Sequence, residues 1–289
     1  MELRQASRKK AKIKMGLQGP SGAGKTMSAL LISYGLCGAW NKIAVIDTEN
    51  HSAELYAHLG SYYVLPMSAP FTPEKYIEAI TTCEKAMIEV IIIDSITHEW
   101  DGTGGILDIH GAMAGNSYTN WSKVTPRHND FVQAMLQSPC HIISTIRAKQ
   151  DYVLVEKNGK QVPEKVGLKG ITRDGMDYEF TLVLELNCKN YAAATKDRTG
   201  LFSGQPEFIP TVDTGKVILQ WCKMGIEIVK PDPREELLKA INACTTSEQL
   251  LKLYYANPNF QESLLPEYTK RRQELLLITK HQQNGTNRS

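Results

Sequence analysis

The chain has no paired cysteines. Its six, Cys37, Cys83, Cys140, Cys188, Cys222 and Cys244, are far apart and form no CxxC pair. That spacing argues against a structural zinc site or a disulfide framework. Several lie in apolar runs, as small core residues do, so a reducing, cytoplasmic setting is expected. No apolar run nears the ~20 residues that a bilayer-spanning helix needs, which argues against a membrane partner. The first residues, MELRQASRKKAKIK, are basic but lack the apolar stretch of a secretory leader. Net charge is only +2, with 33 Lys and Arg against 31 Asp and Glu. Bulk charge therefore does not argue for nucleic acid, and any basic surface has to be local. There is no internal repeat.

What is present is ordinary for a folded protein: 42% hydrophobic and 22% charged residues in a chain of 289. Such a length holds one large domain with an appendage, or two small domains. The first two thirds alternate between strand and helix patterns. Residues 12–18 alternate and end at glycine, as a strand does; 25–37 read as a helix and 42–48 as a short apolar strand. Thr72-Pro73-Glu74 carries a capping hydroxyl, a proline at the first helical position and an early acid, the marks of a helix start. Residues 87–94 and 140–147 are apolar, β-branched runs typical of strands buried on both faces. Thr125-Pro126 predicts a further helix start. The fold class is therefore α/β, a mostly parallel sheet covered by helices.

After Arg147 the pattern changes. Residues 151–167 predict a hairpin around Asn158-Gly159, a strong two-residue turn signal, and 179–187 and 191–196 predict strands. From Pro231 the chain reads helical, with a capping box expected from Thr245 to Glu248. The expected boundaries are a core over 1–228, a helical extension over 229–280 and a polar, disordered tail over 281–289.

The most specific signal is Gly19-Pro20-Ser21-Gly22-Ala23-Gly24-Lys25-Thr26, a complete G-x-x-x-x-G-K-[ST] between a predicted strand and a predicted helix. Chance supplies such a match in roughly one such chain per hundred. Glycines let the backbone wrap around an anion, and amides at the helix N-terminus then face its phosphates. The expected nucleotide site is Gly19, Pro20, Ser21, Gly22, Ala23, Gly24, Lys25, Thr26 and Met27. Lys25 should reach the β- and γ-phosphates of ATP, and the Thr26 hydroxyl should bind Mg2+.

Asp94 ends the run Val90-Ile91-Ile92-Ile93, at the strand end where open α/β sheets bind ligands. It is the second expected magnesium residue. Ser95 follows it where many AAA+ ATPases carry their water-activating glutamate, so that acid must come from elsewhere. Glu49, at the end of another buried strand, is the candidate to orient or deprotonate the attacking water. Glu99, beside Trp100, is the weaker rival.

On these residues the chain resembles the RecA-like P-loop ATPases over roughly 12–225. AVIDTENHSAELY, with Glu49, is similar to that family's strand-end glutamate segment, and IIIDSIT is similar to its Walker B. CHIISTIR falls where the family has its sensor strand, with Thr145 in place of the usual glutamine. Residues 194–200, ATKDRTG, are similar to the lysine–x–arginine segment of RecA, KaiC and DnaB-type proteins. The resemblance implies that Lys196 and Arg198 act catalytically across a subunit interface, in a homo-oligomeric ring or filament. Among its members the short architecture looks like the phage RecA-like ATPases of single-strand annealing and recombination. That resemblance implies a Mg2+-dependent ATPase acting on single-stranded DNA.

In that family two loops face the DNA. The first corresponds here to Trp100–Arg127, rich in Gly and Asn, with Trp121, Lys123 and Arg127, and long for a plain connection. The second corresponds to the hairpin, with Lys157, Lys160, Lys165, Lys169 and Arg173. These five cations, with Trp121 or Tyr118 as a stacking face, form the expected DNA surface. Two alternatives stand beside it: a KaiC-like regulatory ATPase acting on protein, and a small-molecule kinase whose lid would use Arg147, Arg173 and Arg198.

Overall fold

The computed structural model describes residues 5–157, 160–226 and 233–286, and the side chains among them except those of 151–166 and 278–286. The chain forms two compact units, Met1–Ile226 and Glu227–Ser289.

The first unit runs β1 (Lys14–Gly19), α1 (Lys25–Cys37), β2 (Ile43–Asp47), β3 (Tyr63–Pro66), α2 (Pro73–Lys85), β4 (Val90–Asp94), α3 (Thr97–Asp101), α4 (Ile106–Gly111), α5 (Ser117–Gln137), β5 (His141–Lys157), β6 (Lys160–Gly170), α6 (Met176–Glu179), β7 (Leu182–Leu186), β8 (Ala192–Asp197) and α7 (Val212–Lys223). Seven strands order as β3-β2-β4-β5-β1-β7-β8, and β6 pairs with β5. The pairings from β3 across to β7 are parallel, whereas β5–β6 and β7–β8 are antiparallel. The expected mostly parallel α/β sheet is the observed fold.

Both sheet faces are apolar because each central strand sends alternate residues to two cores. Val45, Ile92 and Ile143 pack with Leu30 and Ile32 of α1 and Ile218 of α7. Ile46, Ile91, Ile93 and Ile142 pack with Tyr76 and Ile80 of α2 and Phe131 and Met135 of α5. Helices α1 and α7 touch backbone to backbone at Gly35 and Gly215. A Cβ at Gly35 would overlap the Val212 carbonyl, and one at Gly215 the Ile32 carbonyl. Four of the six cysteines, Cys83, Cys140, Cys222 and Cys244, are buried and unbridged.

Register fixes what this scaffold presents. Asp47 lies opposite Asp94, Ile93 opposite Ser144, and Gly19 opposite Arg147. The C-terminal ends of β2, β4 and β1 therefore form one edge, level with residues 144–147 of β5, which runs on past that edge to pair with β6.

Several sequence expectations change. Trp100–Arg127 is not an irregular loop: it holds the end of α3, all of α4 and half of α5. Its glycines punctuate short helices instead of leaving the segment open. Pro126 does not start a helix, because α5 begins nine residues earlier under an Asn116 cap whose side chain accepts from the Tyr118 amide. The proline lies inside α5. Thr72 does cap α2, accepting from the Lys75 amide at 3.4 Å. Strands β5 and β6 are antiparallel, with Lys157 opposite Lys160; the turn residues Asn158 and Gly159 lie outside the described residues.

The second unit holds α8 (Pro233–Ala243), α9 (Ser247–Ala256) and α10 (Leu265–Thr286) around Leu237, Ile241, Leu250, Leu264 and Tyr268. Thr246 caps α9, one residue later than expected, because its hydroxyl accepts from the Gln249 amide at 3.2 Å. The backbone of α10 stays helical through 281–286, where a disordered tail is expected. No proline interrupts that polar stretch. Among the described residues no helix is long and apolar enough to cross a membrane.

Candidate active site at the sheet edge

The loop after β1 turns through Gly22 and Gly24, at φ 78° and 79°, a backbone region that favours glycine. Gly24 also lies against Asn190, whose side-chain amide a Cβ there would strike. The Lys25 ammonium donates to the Gly19 and Pro20 carbonyls, both at 2.9 Å, and so stays folded over the loop. Burial lowers the Lys25 pKa, against the pull of Asp94 and Glu49. Thr26 and Met27 open α1 on the same wall.

Asp94 ends β4 almost fully buried. Its carboxylate accepts from Thr26 Oγ1 at 2.6 Å and from Thr145 Oγ1 at 2.5 Å. Burial pushes its pKa up, while the two hydroxyls favour the charged form. Thr26 and Asp94, far apart in sequence, therefore meet as two hard oxygen donors beside the phosphate loop. This fits magnesium, which takes few protein ligands and completes its shell with water and phosphate oxygens. Among the described residues no cluster of three or more His, Cys, Asp or Glu forms an all-protein metal cage.

Glu49 follows β2 in a turn organised by Asp47. One Asp47 oxygen accepts from the Glu49 amide at 2.7 Å, the other from the Ala53 amide at 2.9 Å. Thr48 ties this turn to the end of β4. Its hydroxyl accepts from the Ser95 amide at 2.8 Å and lies 2.8 Å from His98 Nδ1. The Glu49 carboxylate receives Ser95 Oγ at 3.1 Å and Arg147 Nε at 2.8 Å, and a second Arg147 nitrogen contacts its other oxygen. Burial opposes ionisation of Glu49, but the guanidinium outweighs it and holds the carboxyl below its ordinary pKa. Although Ser95 stands where an acid is common, its hydroxyl touches Glu49, so the carboxylate reaches the same neighbourhood from another strand.

Glu99 is elsewhere. It is buried in α3, and its carboxylate meets His128 Nδ1 at 3.0 and 3.1 Å. It does not line the phosphate-loop cavity, so the geometry separates the two glutamates.

These groups surround a cavity of about 790 Å³. Lys25, Thr26, Glu49, Asp94 and Arg147 line it, together with Tyr56 and Asn190. Asn190, Tyr56 and the pairing of Arg147 with Glu49 escaped sequence reading. The sequence offers Arg147 only as the end of the apolar run 140–147 and as a lid residue of the kinase alternative. Lys196 and Arg198 do not line this cavity. The Lys196 ammonium donates to the Asp177 carbonyl at 2.7 Å, and Arg198 to the Tyr178 carbonyl at 3.0 Å.

A second cleft, of about 510 Å³, opens beside the first. It brings together Trp100, Trp121, Lys149, Lys169 and Arg173. Trp121 stacks on His110 with ring centroids 4.1 Å apart and faces Trp100 at 5.9 Å. Lys169 is paired with Asp174 at 2.8 Å. Three of the six expected DNA residues thus share one concave surface. Tyr118 projects into solvent on the first turn of α5. The side chains of Lys157, Lys160 and Lys165 lie outside the described residues. Ile171 lines both clefts, and Ala148 and Lys149 line one each.

Comparison with known proteins agrees with this geometry. No curated protein matches the chain. The AAA domain family matches residues 11–209, a span that holds the phosphate loop, Glu49, Asp94 and Arg147. The chain therefore belongs to the AAA domain family, and its core is a nucleotide-binding P-loop ATPase domain.

Proposed function

We propose that the protein is a Mg2+-dependent ATPase whose turnover responds to single-stranded DNA, within the RecA-like group that serves recombination, annealing or replication. The observation that carries this reading is the wall common to the two clefts. Ile171 borders both the phosphate-loop cavity and the cleft lined by tryptophans and cations, and consecutive residues of β5 divide between them, Arg147 and Ala148 on the first and Lys149 on the second.

In this reading the loop amides and Lys25 bind the triphosphate, and Thr26 and Asp94 hold magnesium, which offsets phosphate charge when bound. Thr145 fixes the Asp94 carboxylate as the sensor residue. Glu49 orients a water and takes its proton as the water oxygen bonds to the γ-phosphorus. The bond to the β-phosphate oxygen breaks, and ADP and phosphate leave. Lys196 and Arg198 act on a neighbouring subunit of a homo-oligomer, which is consistent with their distance from their own cavity. Bases stack on Trp121, and Lys149, Lys169 and Arg173 track the backbone, joined by Lys157, Lys160 and Lys165.

The test is ATP turnover with and without a single-stranded oligonucleotide, paired with fluorescence anisotropy across a salt series. DNA should stimulate turnover. Each phosphate contact should add ~0.7 to the log–log salt slope. Trp121→Ala should cost ~1–3 kcal/mol of binding without changing that slope. Lys25→Ala should abolish turnover in a folded protein. Turnover indifferent to DNA, with no binding in the presence of ATP, would replace the DNA reading with that of a regulatory ATPase acting on protein.

A further inference from the structure

Arg147 is the charged residue of the cavity to which the proposed reaction has so far given no role. It lies in register with Gly19, the first residue of the phosphate loop. Its backbone is anchored, since its amide donates to Thr97 Oγ1 at 3.0 Å. Its side chain is not anchored: it remains 46% exposed while paired with Glu49. The guanidinium uses Nε and one terminal nitrogen, so both oxygens of Glu49 are engaged.

That arrangement suits a resting protein and opposes a working one. A carboxylate with a bidentate guanidinium across both oxygens is poorly placed to receive a water proton. Glu49 does not need Arg147 to keep its place. Ser95 holds one of its oxygens at 3.1 Å, and Asp47 holds its amide at 2.7 Å. Removing the arginine would leave an oriented carboxylate with a free oxygen. A terminal phosphate entering the same cavity offers more negative charge than a carboxylate, and oxygens at the spacing a guanidinium fork recognises. Lys25 is parked in a comparable way on loop carbonyls, each of which a phosphate can outcompete.

We propose that Arg147 exchanges partners. Without nucleotide it closes Glu49, and when a triphosphate binds it moves to the terminal phosphate, which frees the carboxylate for water. It is thus a specificity-determining residue that reads the third phosphate within its own chain, distinct from Lys196 and Arg198. The inference rests on Glu49 as the water-activating group.

The test is a double-mutant cycle on the full chain, Arg147→Ala and Glu49→Gln singly and together. Binding of ADP and of a slowly hydrolysed ATP analogue would be measured by calorimetry with magnesium. Arg147→Ala should weaken the triphosphate analogue about tenfold or more, the worth of a hydrogen bond to a charged group, and leave ADP within about twofold. Glu49→Gln should tighten the analogue, because the arginine no longer has to leave a carboxylate. In the Arg147→Ala background that gain should vanish. If Arg147→Ala fails to fold, Arg147→Lys keeps the charge without the fork and should lose part of the triphosphate preference. Wild-type triphosphate affinity in either arginine variant, or equal losses for ADP and analogue, would overturn the exchange. An additive cycle would do the same. A wild-type protein that does not hydrolyse ATP would instead overturn the underlying ATPase reading.

Discussion

Replacing Glu49 and Glu99 in turn by glutamine separates catalysis from stability. Each change keeps volume and polarity and removes one charge. Glu49 lines the phosphate-loop cavity, with a side chain 22% exposed and its partner Arg147 46% exposed. An ion pair so open to water contributes little to folding, about 0.2–1 kcal/mol. Its loss as a general base should slow hydrolysis by about 100-fold or more, a barrier increase of about 2.7 kcal/mol or above. Glu99 has the opposite profile. Its side chain is 2% exposed and meets His128 at 3.0 Å. Glutamine there should cost about 1–3 kcal/mol of stability, as a buried charge-assisted hydrogen bond is weakened, and should leave turnover within a few-fold. Steady-state phosphate release at saturating ATP, with urea unfolding of the same preparations, measures both. Near-normal turnover in Glu49→Gln beside a folded but inactive Glu99→Gln would refute the assignment.

Two further outcomes follow from other parts of the core. Burial pushes the pKa of His141 down from 6.5 to about 3, assisted by Lys12 and Lys14, and its Nδ1 accepts from the Ile13 amide at 3.1 Å. Between those values the unfolded chain binds a proton that the folded chain does not. Stability should therefore fall as pH drops from about 6.5 towards 3, by up to about 1.4 kcal/mol per pH unit from this group. His141→Asn, which stays neutral, should show a shallower loss in urea titrations between pH 4 and 6, and an unchanged slope would exclude the histidine as a source. Arg198→Ala should bind nucleotide but lose turnover, and mixing it with Lys25→Ala should restore part of the activity through complementary subunits. If subunits shown to co-assemble gave no rescue, Arg198 would be confined to its own chain.

The sequence by itself determined the elements whose signals are local. The phosphate loop was legible because an anion cradle needs glycines, a lysine and a hydroxyl within eight consecutive residues. The buried strands were legible because a strand covered on both faces is a short, unbroken apolar run, and Asp94 stood out as the acid that ends one. Trp100–Arg127 misled because its Gly and Asn content reads as loop, whereas tertiary packing of Val124, Phe131 and Met135 commits residues 117–137 to one helix and carries Pro126 within it. Only the tertiary structure decided which acid joins the site. Glu49 and Glu99 both lie just beyond buried strands, but the register of β2 on β4 and the Asp47 turn bring one to Ser95, while α3 buries the other against His128. The Arg147–Glu49 pair spans 98 positions of sequence, and no local pattern encodes it. It exists because β5 and β2 flank β4 in one sheet, so that Arg147, level with the end of β1, and Glu49, just past the end of β2, open onto one cavity.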